Sequence, residues 1–186
     1  MDFKLQIEQF IPFNEQEEID KQQFLGLFNK FNDVLTRNNT FGHLTASAFV
    51  VNKNRTKILL VYHNIYDGYI FPGGHADDNA DLLSVAKREV TEETGLKPTV
   101  LNNNIFALHC FPVSGHVKKG KYVSAHTHYD VAFIMEADDA ETPQINQDEN
   151  QSVIWADFSE IGKSITLVDF FVPAYEKFIE KLKYFE

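Results

Sequence analysis

One cysteine, Cys110, is all the thiol in this sequence. An internal disulfide is therefore excluded, a thiol-rich zinc site is disfavoured, and a reducing compartment is expected. Basic residues are in deficit as well. The 17 Lys and Arg set against 27 Asp and Glu leave a net charge of −10, which opposes nonspecific binding to long nucleic acids. Small anions carried in with a metal remain compatible with that balance. Nowhere do 18 apolar residues run together, and the first residues lack a basic stretch leading into an apolar one. Neither a spanning helix nor a signal peptide is expected, and the expected setting is cytoplasmic, with no membrane partner. Internal repeats and low-complexity tracts are also lacking.

What the chain does have is a core. At 186 residues, with 44% hydrophobic content and 17 Phe, it is long enough and apolar enough for a globular fold. From Glu15 to Arg37 the apolar residues Ile19, Phe24, Leu27, Phe28, Phe31 and Leu35 fall at helical spacing, predicting an N-terminal amphipathic helix. Asn38 to Gly42 interrupts it. Leu44 to Val51 and Lys57 to His63 read as strands about a turn at Asn52-Lys53-Asn54, and Val100 to Pro112 and Tyr122 to Glu136 as further strands joined by a basic loop. A short strand at Val153 to Trp155 and a last helix from about Asp169 to Lys183 complete the pattern. The expected division is a helical extension at 1–40 packed on a domain at 41–186. Pattern alone gives helices with strands.

Between these lies an acidic cluster. Glu89, Glu92 and Glu93 stand at helical positions i, i+3 and i+4 and should share one face. At about 100° per residue that face also carries Leu82, Val85 and Ala86, so the carboxylates are expected to point inward. Three anions so placed repel by about 4 kcal/mol per close pair unless a cation sits among them. Hard oxygen donors favour magnesium, manganese or calcium over zinc. A calcium-loop reading of Asp77, Asn79 and Asp81 fails, because Leu82 stands where a Gly is required and Arg88 where a Glu is.

The stretch Gly74 to Leu96 resembles the box of the Nudix hydrolases: Gly, five residues, Glu, seven residues, then Arg-Glu-apolar-any-Glu-Glu-any-Gly-apolar. Gly74, Arg88, Glu89, Val90, Glu92, Glu93, Gly95 and Leu96 match, while Ala80 replaces the first Glu. That departure bears on the bracing of Arg88 more than on the metal site, and Asp77, Asp78 or Asp81 are candidate substitutes. Tyr69-Ile70-Phe71-Pro72-Gly73-Gly74 resembles the family's lead into the box, and Glu149, six positions before Trp155, matches a further acidic position found in many members. The resemblance implies an α/β fold, the Nudix-type α/β/α sandwich with a mixed sheet. It also implies cleavage of a diphosphate linkage in a small nucleoside-diphosphate-type substrate with Mg2+ or Mn2+. Glu89, Glu92 and Glu93 would hold metal with a carbonyl of Gly73 or Gly74, Arg88 would orient the carboxylates, and Glu149 is the expected general base. A binding or regulatory module on the same fold would normally have lost box carboxylates. An isopentenyl diphosphate isomerase needs a Cys ahead of the box, whereas Cys110 follows it.

Residues outside the box suggest a substrate-binding surface. Lys118, Lys119 and Lys121 are suited to holding phosphates or else form a solvated hairpin tip. His126 and His128 lie two apart on a strand and share a face; such a pair can ligate zinc, but no third soft ligand is near in sequence, so orienting a phosphate or filling a polar core position is expected. His75, beside Gly74, reads as structural. Tyr62, Tyr66, Tyr69 and Phe71 could stack on a base, against the commoner role of packing in a core. Which diphosphate is cleaved, and whether the chain forms a homodimer, stay open.

Overall fold

The computed structural model describes residues 2–64, 66–118, 120–145 and 150–185. Two short stretches of helix come first, α1 (Phe3–Gln9) and α2 (Glu15–Lys30). They are followed by β1 (Gly42–Val51), β2 (Lys57–His63), β3 (Gly68–Ile70) and β4 (Gly73–His75), then by α3 (Leu82–Thr94). Beyond α3 come β5 (Thr99–Val100), β6 (Ala107–Val113), the hairpin β7 (His116–Lys118) and β8 (Lys121–Val123), and β9 (His126–Glu136). β10 (Asn150–Asp157), a 3-10 turn at Asp169–Phe171 and α4 (Val172–Leu182) end the fold.

Eight strands make one mixed sheet whose spine runs β10-β2-β1-β9-β5, with β3 on β2, β4 on β1 and β6 on β9. The β1–β9 pair is parallel through ten registered positions, from Gly42↔Thr127 to Val51↔Glu136. On its other side β1 meets β2 only at Val51↔Ile58, while β4 lies against it at Thr45↔His75, Ala46↔Gly74 and Ser47↔Gly73. The sheet therefore splits at one end of β1, and the Gly73-Gly74-His75 strand fills the fork.

Alternation along β1 and β9 sorts their side chains onto two layers. Leu44, Ala46, Ala48 and Val50 join Val131, Phe133 and Met135 in a core shared with Leu82, Val85, Ala86 and Val90 of α3. Phe3, Ile7, Phe24 and Leu27 of α1 and α2 belong to that same cluster. On the opposite face Phe49, Val51, Ala132 and Ile134 pack with Ala174, Tyr175 and Phe178 of α4. All ten residues of β1 are buried, as a central strand covered on both sides requires. Helices on both faces of a mixed sheet make this the expected α/β/α sandwich.

Several sequence expectations need correction. The N-terminal helix stops at Lys30, where Phe31 turns extended, rather than reaching Arg37, and a separate α1 precedes it. Ile19, counted on its apolar side, is 55% exposed. The single strand expected from Val100 to Pro112 is two, β5 and β6, and the basic connection is itself a hairpin. The box helix keeps its expected end: Gly95 adopts a left-handed conformation at φ 71° and its N–H donates to the Thr91 carbonyl.

A buried ionic cluster ties α2 to α4. Glu17 is fully buried and its carboxylate accepts from Lys181 Nζ at 2.9 and 3.1 Å, from Lys177 Nζ at 3.1 Å and from the Phe13 N–H at 2.8 Å. Burial opposes the charge on Glu17, but the two ammonium groups outweigh it and hold the carboxyl below its ordinary value. Burial likewise lowers both lysines despite their anionic partner. Lys177 spends further donors on Gln16 Oε1 and the Leu108 carbonyl.

Candidate active site

The box helix is set by its caps. Asp81 accepts from the Ser84 N–H at 3.1 Å, starting the helix so that Leu82, Val85, Ala86 and Val90 face the sheet. One and two turns on, the same side delivers Glu89 and Glu93, which are 9% and 3% exposed. Glu92 does not follow them inward. Its side chain is 54% exposed, because a helix rotates it by about 60° from Glu89 to the side away from Glu93. The triad is thus two buried carboxylates with a third on the rim, a correction to the inward-facing set of three.

The buried pair converges on the double glycine. The Gly73 N–H donates to Glu93 Oε2 at 2.9 Å. At Gly74 the Glu89 carboxylate lies so close that a Cβ added there would stand 2.4 Å from Glu89 Cδ and 2.6 Å from both of its oxygens. Only a residue without a side chain permits that approach. Arg88 Nη2 donates to Glu89 Oε1 at 2.6 Å, its Nε lies 3.7 Å from Glu92 Oε2, and Nη2 also reaches the His75 carbonyl at 3.4 Å. The guanidinium therefore touches two carboxylates and the strand facing them, as an orienting group would.

Of the candidate substitutes for the missing box Glu, Asp81 is taken up as the cap and Asp77 pairs with Arg37 in a two-pronged contact at 2.7 and 2.5 Å, and the Arg88 charge adds to Arg37 in holding the Asp77 carboxyl below its ordinary value. Asp78 is exposed.

The expected substrate residues divide. Phe71 is 3% exposed and its ring packs against Phe49 and Phe171, so it is core and presents no face to a base. Tyr69 is half-buried, packed edge-on against Tyr62, with its hydroxyl 3.4 Å from Ser152 Oγ. Lys118 and Lys121 face each other across the β7–β8 hairpin, and Lys118 adds its charge to the burial that holds His63 at about 4 and His75 at about 2. The hairpin thus brings a cation toward the box strand. Lys119 and Glu149 lie outside the described residues.

His126 and His128 are joined by two residues that sequence reasoning did not group with them. His43 is the register partner of His128 across β1 and β9, and His75 projects from β4 beside it. Ring centroids of His43 lie 5.1, 4.8 and 5.1 Å from those of His75, His126 and His128. Below them on the same face, Asp130 accepts from Thr45 Oγ1 at 2.8 Å and Ser47 Oγ at 2.6 Å, with His109 Nδ1 at 3.7 Å, beyond hydrogen-bond reach. No spacing signal links these positions; parallel pairing of strands some 85 residues apart does.

Comparison with known proteins follows this geometry. The NUDIX domain family model matches residues 42–182. Among solved structures, a NUDIX family hydrolase from Clostridium perfringens is 20% identical with a TM-score of 0.52, covering 73% of this chain and 97% of its own. The MutT protein from Methanosarcina mazei Go1 is 18% identical with a TM-score of 0.56, covering 78% and 98%. A C. elegans Ap4A hydrolase is 18% identical with a TM-score of 0.51, covering 76% and 98%. At these identities the likeness is one of fold. No curated protein matches the sequence.

Proposed function

This chain belongs to the Nudix hydrolase family, and from that premise we propose that it cleaves a diphosphate linkage in a small nucleoside-diphosphate-type substrate with the help of Mg2+ or Mn2+. The observation that carries the reading is the convergence of Glu89 and Glu93 on the Gly73-Gly74 backbone, with Glu92 at the rim. The donor set fits a hard divalent cation: carboxylate oxygens from one helix turn, a backbone carbonyl opposite, and no sulfur. Glu89, Glu92, Glu93 and a carbonyl of Gly73 or Gly74 would hold it. When bound, it supplies neutralisation between the carboxylates and the diphosphate and lowers the pKa of a water.

The chain's own groups do the rest. Arg88 keeps the Glu89 carboxylate turned toward the glycines, and its contact with the His75 carbonyl holds helix and strand in one register. The two glycines keep the wall of the site free of side chains. Lys118 and Lys121 on the hairpin supply positive charge for the part of the substrate beyond the cleaved bond. Glu149, at the acidic position the family resemblance points to, is the proposed general base for the attacking water.

The test is a screen with Mg2+ or Mn2+ of nucleoside triphosphates, nucleotide sugars, ADP-ribose, dinucleoside polyphosphates and coenzyme A, read as phosphate or nucleotide release. The Ap4A hydrolase among the structural neighbours makes dinucleoside polyphosphates the first to try. Turnover of at least one class, abolished by excess EDTA and restored by Mg2+, is expected. Binding without turnover across the panel would favour a nucleotide-holding module instead, and full activity in EDTA would remove the metal from the reading.

A further inference from the structure

The four histidines gathered at the fork of the sheet have no part in that chemistry. One ligating atom from each of His43, His75 and His128 lies within 4.8 Å of the others. His126 adds a fourth imidazole, its Nε2 3.2 Å from His128 Nε2. That separation is close to the edge of a tetrahedral zinc–imidazole site, about 3.3 Å for metal–nitrogen bonds of 2.0–2.1 Å.

Backbone carbonyls fix the tautomer of two of the rings. His43 Nδ1 lies 3.1 Å from the Asn39 carbonyl and His126 Nδ1 lies 2.8 Å from the Ser124 carbonyl. A carbonyl can only accept, so in each ring Nδ1 carries the hydrogen and Nε2, in the neutral ring, is a bare acceptor. His43 Nε2 is buried and has no hydrogen-bond partner among the described residues, an unfavourable state for an acceptor shut away from water. Carbonyls that fix the far nitrogen of a ring are the usual supports of metal-bound histidine. Burial, the neighbouring rings and the nearby Arg37 guanidinium all disfavour an added proton on His43, His75 and His128.

We propose that His43, His75, His128 and His126 form a second metal site, for Zn2+ or a cation of similar preference, separate from the carboxylate site on α3. All-nitrogen donors select zinc, nickel, copper or cobalt over the hard cations suited to Glu89, Glu92 and Glu93. Three strands contribute: β1 through His43, β4 through His75 and β9 through His126 and His128. The ion clips them together where the sheet splits and β1 has no β2 beside it. Because His75 follows Gly74 directly, the clip fixes the strand against which Glu89 rests. It is a structural site, and it stands whether or not the chain proves to cleave a diphosphate.

The full-length protein is stripped with a chelator, mixed with one equivalent of Zn2+ or Co2+ in millimolar Mg2+, passed through a desalting column and assayed for metal per chain and for the visible absorption of tetrahedral Co2+. One tightly held ion per chain, a tetrahedral nitrogen-type cobalt spectrum and a raised Tm with Zn2+ are expected. His43→Asn and His128→Asn should each weaken zinc binding by about a hundredfold. His126→Asn, at a partly exposed position, should weaken it by about tenfold with an unchanged circular dichroism spectrum. Glu92→Gln should leave zinc affinity within about threefold of the parent. Metal lost on desalting, zinc retained by the His43→Asn/His128→Asn double variant, an unaltered affinity in His126→Asn, or loss in Glu92→Gln equal to that in the histidine variants would each overturn the site.

Discussion

Replacing either member of the double glycine by alanine adds the same methyl group, yet the two changes should fail in different ways. At Gly73 the new Cβ would meet framework: Ser47 Cβ at 2.7 Å, Ser47 Cα at 2.8 Å and the Ala46 carbonyl oxygen at 2.9 Å. Backbone of a buried central strand cannot retreat cheaply, so Gly73→Ala should cost about 1–3 kcal/mol, lowering Tm by about 2–12 °C for a chain of this size. At Gly74 the Cβ would meet only the end of the Glu89 side chain, at 2.4 Å from Cδ. Contact at the usual 3.5 Å or more requires the carboxyl to retreat by about 1 Å. The side chain can turn about its own bonds, and the loss of glycine's unfolded-state freedom returns about 0.4–1 kcal/mol, so Tm should stay within about 3 °C of the parent. A 1 Å displacement of a catalytic group costs about a hundredfold in rate. Gly74→Ala should therefore be folded and at least about a hundredfold slower, and Gly73→Ala markedly less stable. Differential scanning calorimetry beside turnover of whichever substrate the screen identifies gives both readouts. A Gly74→Ala enzyme with parental turnover would show that Glu89 need not sit against the glycine, and the metal site as drawn would be wrong.

Other outcomes follow from the same contacts. Arg88→Lys retains the charge but loses the fork that reaches Glu89, Glu92 and the His75 carbonyl together; turnover should fall by about tenfold or more with Tm nearly unchanged, and parental kinetics would dismiss the orienting role. Glu17→Ala leaves Lys177 and Lys181 buried without their anion, which should cost about 3–5 kcal/mol and lower Tm by about 6–20 °C; adding Lys177→Met and Lys181→Met should restore most of it, and a lone Glu17→Ala that melts like the parent would discount the cluster. The carboxyl of Glu17 is held below its ordinary 4.5, so its stabilisation is complete above that value and is lost as pH falls through the lower folded value. Urea midpoints measured downward from pH 5 should consequently decline more steeply in the parent than in Glu17→Gln, and parallel curves would contradict the sign of the shift.

The parts of the fold legible in the sequence are those whose signals are local. Asp81 and Gly95 bracket α3 with cap chemistry, and Leu82, Val85 and Ala86 give its inner face. β1 and β2 announce themselves by apolar runs around an Asn-rich turn. The break between β5 and β6 carries a local signal too, the turn-forming run Asn102-Asn103-Asn104 inside the apolar stretch. α1 leaves no periodic signal, because only Phe3 and Ile7 of its seven residues are buried, too short a stretch to establish a period. Spacing alone does not set the direction of Glu92, because an i, i+3, i+4 set fans over about 100° and the sheet covers only part of that arc. The aromatic lead into the box gave no hint that Phe71 points into the α4 layer. Glu17 read as one acid among several on a solvated helix, and only the docking of α4 turns it into a buried anion. The histidine cluster is the clearest case of information held in pairing alone: His43 and His128 become neighbours through the β1–β9 register, which no sequence interval records.

The Glu17–Lys177–Lys181 cluster also sets a schedule for folding. The anion comes from the second helix of the chain and its cations from the last, some 160 residues later, with most of the sheet in between. While the chain emerges during synthesis, α2 can gather Phe24 and Leu27 onto the growing sheet, but its acidic end has to stay hydrated until α4 arrives. The last ion pairs of the fold to become available are thus those that neutralise one of its first helices.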